Sequence, residues 1–236
     1  MKVLLIIPAY NEEECILNTV KEIEKYNKNN NTNYDYVVIN DGSTDNTEKV
    51  LVKNKLNHIT LIHNLGIGGA VQTGYKYALE NNYDIAIQFD GDGQHRVEYA
   101  KDLIELIEKD KYNLVIGSRY VKESNGFKST AMRRFGIKII SFFIKLFTGK
   151  KIEDTTSGFR ACDKAIIEEF SKEYPVEYPE PISTTMMIKK GYKVGECHVE
   201  MRARESGVSS IRAWKNAYYM INVVLSIIIT CVRRYK

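Results

Sequence analysis

Five short apolar runs alternate with stretches patterned for helices, and that alternation constrains the fold more than any other feature. The runs are KVLLII at 2–7, YDYVVIN at 34–40, ITLIH at 59–63, IAIQF at 85–89 and LVIG at 114–117. Each has strand length and is bounded by polar or turn-forming residues. Between the first two, Cys15 to Tyr26 reads as a helix, with Ile16, Val20 and Ile23 on one face at spacings of four and three. A short helix follows Ser43, another opens at GIGGA (66–70) and runs through Ala78, and a fourth is expected from Val97 to Lys109. Strands alternating with helices predict an α/β protein with a mostly parallel sheet covered on both faces.

Such a sheet binds ligands beyond the carboxyl ends of its strands. The polar motifs lie there: PAYNEE after the first strand, DGSTD after the second and DGDGQ after the fourth. Asp90 and Asp92 leave one strand end with only Gly91 between them, so each raises the cost of ionising the other and a cation should offset them. A hard divalent ion, Mg²⁺ or Mn²⁺, accepts such oxygens, with Gln94 as a further donor, and keeps positions open for phosphates. The competing reading is a solvated turn whose aspartates cap the next helix. Two more polar strand ends on the same edge favour the metal.

Asp41 is placed to accept hydrogen bonds from a polar ligand, while Ser43 or Thr44 caps the following helix. Pro8, Ala9 and Tyr10 offer backbone groups and a ring for a base or ribose, with Asn11 and Glu12 as polar contacts. The GIGGA run matches neither the P-loop nor the GxGxxG spacing, and a close-packed helix start is the better reading.

Composition narrows the class. At 236 residues, 44% hydrophobic and 27% charged, the chain buries one sizeable core and is not disordered. Cys15, Cys162, Cys197 and Cys231 form no CxxC pair, which argues against a zinc site or a disulfide framework and fits a reducing cytosol. The apolar amino terminus breaks at Pro8 and turns acidic, so it reads as a strand and not a signal peptide.

Charge is polarised: 133–151 holds six basic residues and no acidic one, and 201–236 holds seven basic and one acidic. Both segments also carry long apolar runs, a pairing that points to a membrane surface and away from nucleic acid. In the amphipathic helix expected over 136–148, Lys138, Ser141, Lys145 and Thr148 form one polar stripe on an otherwise apolar surface. Its apolar dozen residues reach only ~18 Å, and Tyr218 to Val232 only ~22 Å, against a hydrocarbon core of ~30 Å. Both segments therefore read as monotopic membrane contacts, with a buried helix or a protein interface as the competing account.

PAYNEE, DGSTD, DGDGQH, GSRY (117–120) and DTTSGFRA (154–161), in this order and spacing, resemble the family 2 glycosyltransferases of the GT-A fold. Within them the chain is most similar to the polyprenyl-phosphate glycosyltransferases, a group that includes dolichol-phosphate mannose synthase, over residues 2–212. The resemblance implies a GT-A domain over 1–212 followed by a membrane-associated helix over 213–236. It implies that Pro8, Ala9, Tyr10, Glu12 and Asp41 hold a nucleotide diphosphate sugar together with Asp90, Gly91 and Asp92, and that Asp90, Asp92 and Gln94 hold the metal. A lipid phosphate acceptor is already anionic and needs positioning by arginines more than a base. Arg119, Arg133, Arg134 and Arg204 are the acceptor-phosphate candidates by resemblance, with Arg202 beside them, and Asp154, Arg119 and Arg133 are expected at the reaction centre. VEYPEPIS (176–183) departs from the pattern: relatives often carry a second acid after PEP, whereas here Ile182 and Ser183 follow and Glu180 remains.

The expected activity is inverting transfer of a hexose from a UDP- or GDP-sugar to a polyprenyl phosphate on the cytoplasmic side of the membrane. The alternative is transfer to a saccharide or glycolipid hydroxyl. A homo-oligomer stays open.

Overall fold

The computed structural model describes residues 1–121, 131–202 and 213–235. Its centre is a seven-stranded sheet in the order β3-β2-β1-β4-β6-β5-β7. The strands are β1 (Val3–Ala9), β2 (Tyr34–Asn40), β3 (His58–Thr60), β4 (Ile85–Gln88), β5 (Leu114–Ser118), β6 (Arg160–Asp163) and β7 (Val194–His198). All pairings are parallel except those of β6, which runs antiparallel between β4 and β5. Every residue of β1 is buried. Leu4 and Ile6 enter the apolar cluster on one face, and Val3, Leu5 and Ile7 the cluster on the other. A strand with no polar face can exist only where helices cover both sides, which is why β1 is central.

The helices are α1 (Ile16–Asn30), α2 (Thr47–Lys53), α3 (Gly66–Glu80), α4 (Ala100–Asp110), α5 (Ala131–Thr148), α6 (Lys164–Lys172), α7 (Pro179–Lys189) and α8 (Ala213–Val232). Helix α1 runs a turn past the expected Tyr26 and stops at Asn31, whose left-handed φ of 52° turns the chain so that the Thr32 N–H also reaches the Asn27 carbonyl, at 3.1 Å. Strand β3 ends at Thr60, before the expected His63, because the chain turns away to bring Leu65 over Asp41. The segment expected to be helical from Val97 begins with a 3₁₀ turn, Val97–Tyr99.

The largest difference concerns residues 160–163. The sequence pattern shows no strand there, whereas these residues form β6 and the next helix begins at Lys164, capped by Asp163 accepting the Ile166 N–H. Four residues carry no readable period, and the gap between β4 and β5 decides their state.

Helices α5 and α8 also differ from a simple amphipathic reading. Ser141, placed in the polar stripe with Lys138 and Lys145, is buried beside Ile137, Ile140 and Ile144, while the two lysines are exposed. Phe135, Phe142 and Leu146 stand exposed among them. The reason is α8, which packs on α5 and α7. Gly136 gives α8 room, since a Cβ there would lie 3.3 Å from the Met220 sulfur. Val223 and Ile227 of α8 join the same core cluster as Leu4 and Ile6, while Ile221, Leu225 and Ile229 face outward. Among the described residues, no helix is long and apolar enough to cross a membrane.

Candidate active site

The carboxyl edge of the sheet brings the sequence motifs together by direct bonds between loops. Asp41 follows β2, its N–H donates to the Ala9 carbonyl, and its Oδ1 accepts the Leu65 N–H at 2.7 Å. Gly42 has φ of 63°, and a Cβ there would lie 2.8 Å from the Asn64 backbone nitrogen, so only glycine lets the loop after β3 approach Asp41. Asn11, also left-handed at φ 57°, donates its N–H to Ser43 Oγ and accepts the Thr44 N–H at 2.8 Å. The Glu12 N–H donates to Thr47 Oγ1. Pro8 and Ala9 are buried at the end of β1, and the Tyr10 ring stands exposed beside this cradle. Within GIGGA, Gly68 serves packing, since a Cβ there would meet the Pro175 carbonyl at 2.3 Å, while Gly66 takes a left-handed φ of 76° with open space around it.

Beyond β4, Asp92 is buried and its Oδ1 accepts the Gln94 N–H at 3.0 Å, which closes the DGDGQ turn. Thr19 of α1 holds the turn from below by donating to the Gly91 carbonyl. Asp90 is about a third exposed at its side chain, at 32%. His95 is buried behind it, accepting the Asp90 N–H on Nδ1 at 2.9 Å. Burial pushes the His95 ring down to about 4, against the pull of Asp92, so the imidazole is neutral at physiological pH.

Among the described residues, no three His, Cys, Asp or Glu side chains gather to hold a metal ion. By their chemistry, the two carboxylates of Asp90 and Asp92 and the amide of Gln94 suit a hard divalent ion and would leave positions for diphosphate oxygens and water. The space is also kept clear: Gly158 faces the Asp90 carboxylate so closely that a Cβ would lie 3.0 Å from Oδ1 and 3.3 Å from Oδ2.

Gly158 belongs to DTTSGFR, which brings a second centre against the first. Asp154 is fully buried, and its carboxylate takes Arg119 Nε at 2.7 Å and Nη2 at 2.8 Å, with the Arg119 N–H at 3.1 Å. Burial opposes the guanidinium charge, but Asp154 outweighs it and holds Arg119 above its ordinary value; Asp90 adds to that pull. Glu196 of β7 supports the pair by accepting the N–H groups of Glu153 and Asp154 at 2.8 and 2.9 Å. Below lies Arg160, fully buried, donating to the Glu180 carbonyl and to Ser183 and Thr184 at the start of α7. Burial raises the Glu180 carboxyl, with Arg160 opposing and Asp90 adding to the rise.

Of the other candidate arginines, Arg202 is engaged with α1: it grips both oxygens of Glu22, at 2.7 and 2.9 Å, and its N–H donates to the Gln94 carbonyl. Arg134 is exposed on α5, whereas Arg204 and the side chain of Arg133 lie outside the described residues. Sequence reasoning gave no role to His95, Glu196 or Arg160. The adjoining DGDGQH motif was the only pointer to His95, and nothing in GECH singles out Glu196.

Solved structures share this architecture. Glucosyl-3-phosphoglycerate synthase from Mycobacterium tuberculosis, in complex with Mn²⁺, UDP and phosphoglyceric acid, superposes with a TM-score of 0.73 at 14% identity, covering 100% of this chain and 80% of that one. The fold is that of the GT-A glycosyltransferases. The sequence matches the glycosyl transferase family 2 over residues 4–171, and the chain belongs to that family. It is 33% identical to a UDP-N-acetylglucosamine–dolichyl-phosphate N-acetylglucosaminyltransferase of Methanococcus voltae, over 84% of each chain. It is 27% identical to the polyprenol monophosphomannose synthase of Mycolicibacterium smegmatis, over 89% of this chain and 81% of that one. A dolichol-phosphate mannosyltransferase of Pyrococcus furiosus is 34% identical over 71% of this chain and 48% of that one.

Proposed function

We propose that this glycosyltransferase moves a hexose from a nucleotide diphosphate sugar to a polyprenyl phosphate at the cytoplasmic face of the membrane. The observation that carries the acceptor class is the Arg119–Asp154 pair. A hydroxyl acceptor needs a carboxylate positioned to take its proton. Asp154 is fully buried and already binds Arg119 through both oxygens, so it orients an arginine and is badly placed as a base. An arginine fixed in this way suits an anionic acceptor, which brings its own nucleophilic oxygen. The names of the three sequence relatives given above, each a polyprenyl-type phosphate transferase, support the same class.

On the donor side, the cradle of Pro8, Ala9, Tyr10, Glu12 and Asp41 would take the nucleoside, and Gly91 would let the diphosphate approach the turn. Asp90, Asp92 and Gln94 would hold Mg²⁺ or Mn²⁺, which when bound offsets charge on the departing diphosphate. Gly158 keeps the space over Asp90 open for the sugar end of the donor. The Asp154 carboxylate sets the direction of the Arg119 fork, and Glu196 fixes the loop that bears it. The outward apolar residues of α5, set among Lys138 and Lys145, are suited to the lipid surface from which such an acceptor would be drawn.

Glu180 favours a second reading. Its raised carboxyl within electrostatic reach of Asp90 has the character of a base for a saccharide or glycolipid hydroxyl. A panel of UDP- and GDP-sugars assayed with Mn²⁺ against a short polyprenyl phosphate and the matching free polyprenol separates the two. Transfer confined to the phosphate is expected. Comparable rates on both lipids would reject the phosphate acceptor and leave the Glu180 reading.

A further inference from the structure

We propose that His95 is a positioning residue for the metal-binding turn, holding Asp90 at its main chain and facing its side chain, and tying that turn to the loop that bears Asp154. The inference rests on the metal reading above.

The ring is only 2% exposed, stacked on Phe159 at 4.8 Å and 22° and meeting Phe89 edge-on at 5.5 Å. Packing alone would be served better by an apolar ring, because a buried imidazole must find partners for its nitrogens. Both nitrogens face one residue. Nδ1 accepts the Asp90 N–H at 2.9 Å, which fixes the tautomer with the proton on Nε2, and Nε2 lies 3.4 Å from Asp90 Oδ2.

Asp90 lies two residues past the end of β4 at Gln88, and its carboxylate is partly open to solvent. The stacking partner Phe159 is the residue between Gly158, which faces the Asp90 carboxylate, and Arg160. Its carbonyl accepts the Gly117 N–H at 2.7 Å, two residues before Arg119. A single ring therefore sits between the turn that bears Asp90 and the loop that runs from Asp154 to Phe159. Groups that orient metal ligands in this way change metal affinity without binding the metal.

The test measures Mn²⁺ binding to the full chain by electron paramagnetic resonance, in the presence of UDP and separately of GDP. His95→Phe keeps the stack on Phe89 and Phe159 and removes both nitrogens. It is expected to weaken Mn²⁺ binding ~10- to 100-fold. Nucleotide affinity without metal should stay close to wild type, and the melting temperature should fall only by what one lost part-buried hydrogen bond costs. His95→Asn, whose amide oxygen can replace Nδ1 as acceptor, should recover much of the loss. Equal Mn²⁺ affinity in wild type and His95→Phe, or His95→Asn no better than His95→Phe, would overturn the positioning role while leaving the metal reading standing. A wild-type chain that binds no Mn²⁺ with either nucleotide would overturn both.

Discussion

Asp154 binds Arg119 from a position with no exposure to solvent, so each half of the pair makes the other tolerable. Removing one partner strands a buried charge. Arg119→Ala and Asp154→Ala are each expected to destabilise the fold by about 3–5 kcal/mol, and the double substitution by less than their sum, in urea unfolding. Additive losses would show that the pair is not coupled. Asp92 behaves differently, because the bond it accepts from the Gln94 N–H can also be accepted by an amide oxygen. Asp92→Asn should therefore melt near wild type while sugar transfer in Mn²⁺ is lost; retention of full turnover would remove Asp92 from the metal site. Asp41, Asp90 and Asp92 were legible in the sequence because each follows an apolar run that ends in a turn. His95, Glu196 and Arg160 were not, since what marks them is a partner distant in the chain: Phe159 for the first, the Asp154 N–H for the second, the start of α7 for the third.

Elements follow local pattern where burial is complete and fail to where a neighbour decides. Helix α3 lies against β1 so closely that a Cβ on Gly74 would come 2.2 Å from Ile6 Cγ2. Gly74→Ala should cost about 1–3 kcal/mol through overpacking, more than any gain in helix propensity, and combined with Ile6→Ala, which removes the clashing Cγ2, it should cost less than the sum of the two single losses. A stabilised Gly74→Ala variant would mean that the helix can move off the strand. Strand β1 and helix α3 were readable as elements, but their distance of approach was not. Strand β6 was unreadable altogether: RACD became a strand because an antiparallel partner was needed between β4 and β5, and no periodicity in four residues announces that.

At the scale of the molecule, the packed helices α5 and α8 both carry outward apolar residues, with exposed lysines on α5. If that surface meets an anionic leaflet, sedimentation with anionic vesicles should exceed that with neutral ones and fall at high salt. Phe142→Ser with Leu146→Ser should reduce it without a change in melting temperature, since both side chains are exposed. Substitutions on α5 suit this test better than removing α8, because Val223 and Ile227 belong to the core and their loss would unfold more than a membrane contact. Unchanged sedimentation would leave the surface to a protein partner. The sequence by itself determined the α/β class, the strands buried on both faces and the acidic turns at their carboxyl ends, because those depend on local period and on the residues at strand termini. Only the tertiary structure decided that Asp154 faces Arg119, that Arg202 turns away to Glu22, and that α8 belongs half to the core. Each of those is a choice between partners far apart in the chain, settled by which charges can be buried together and which apolar faces remain to be covered.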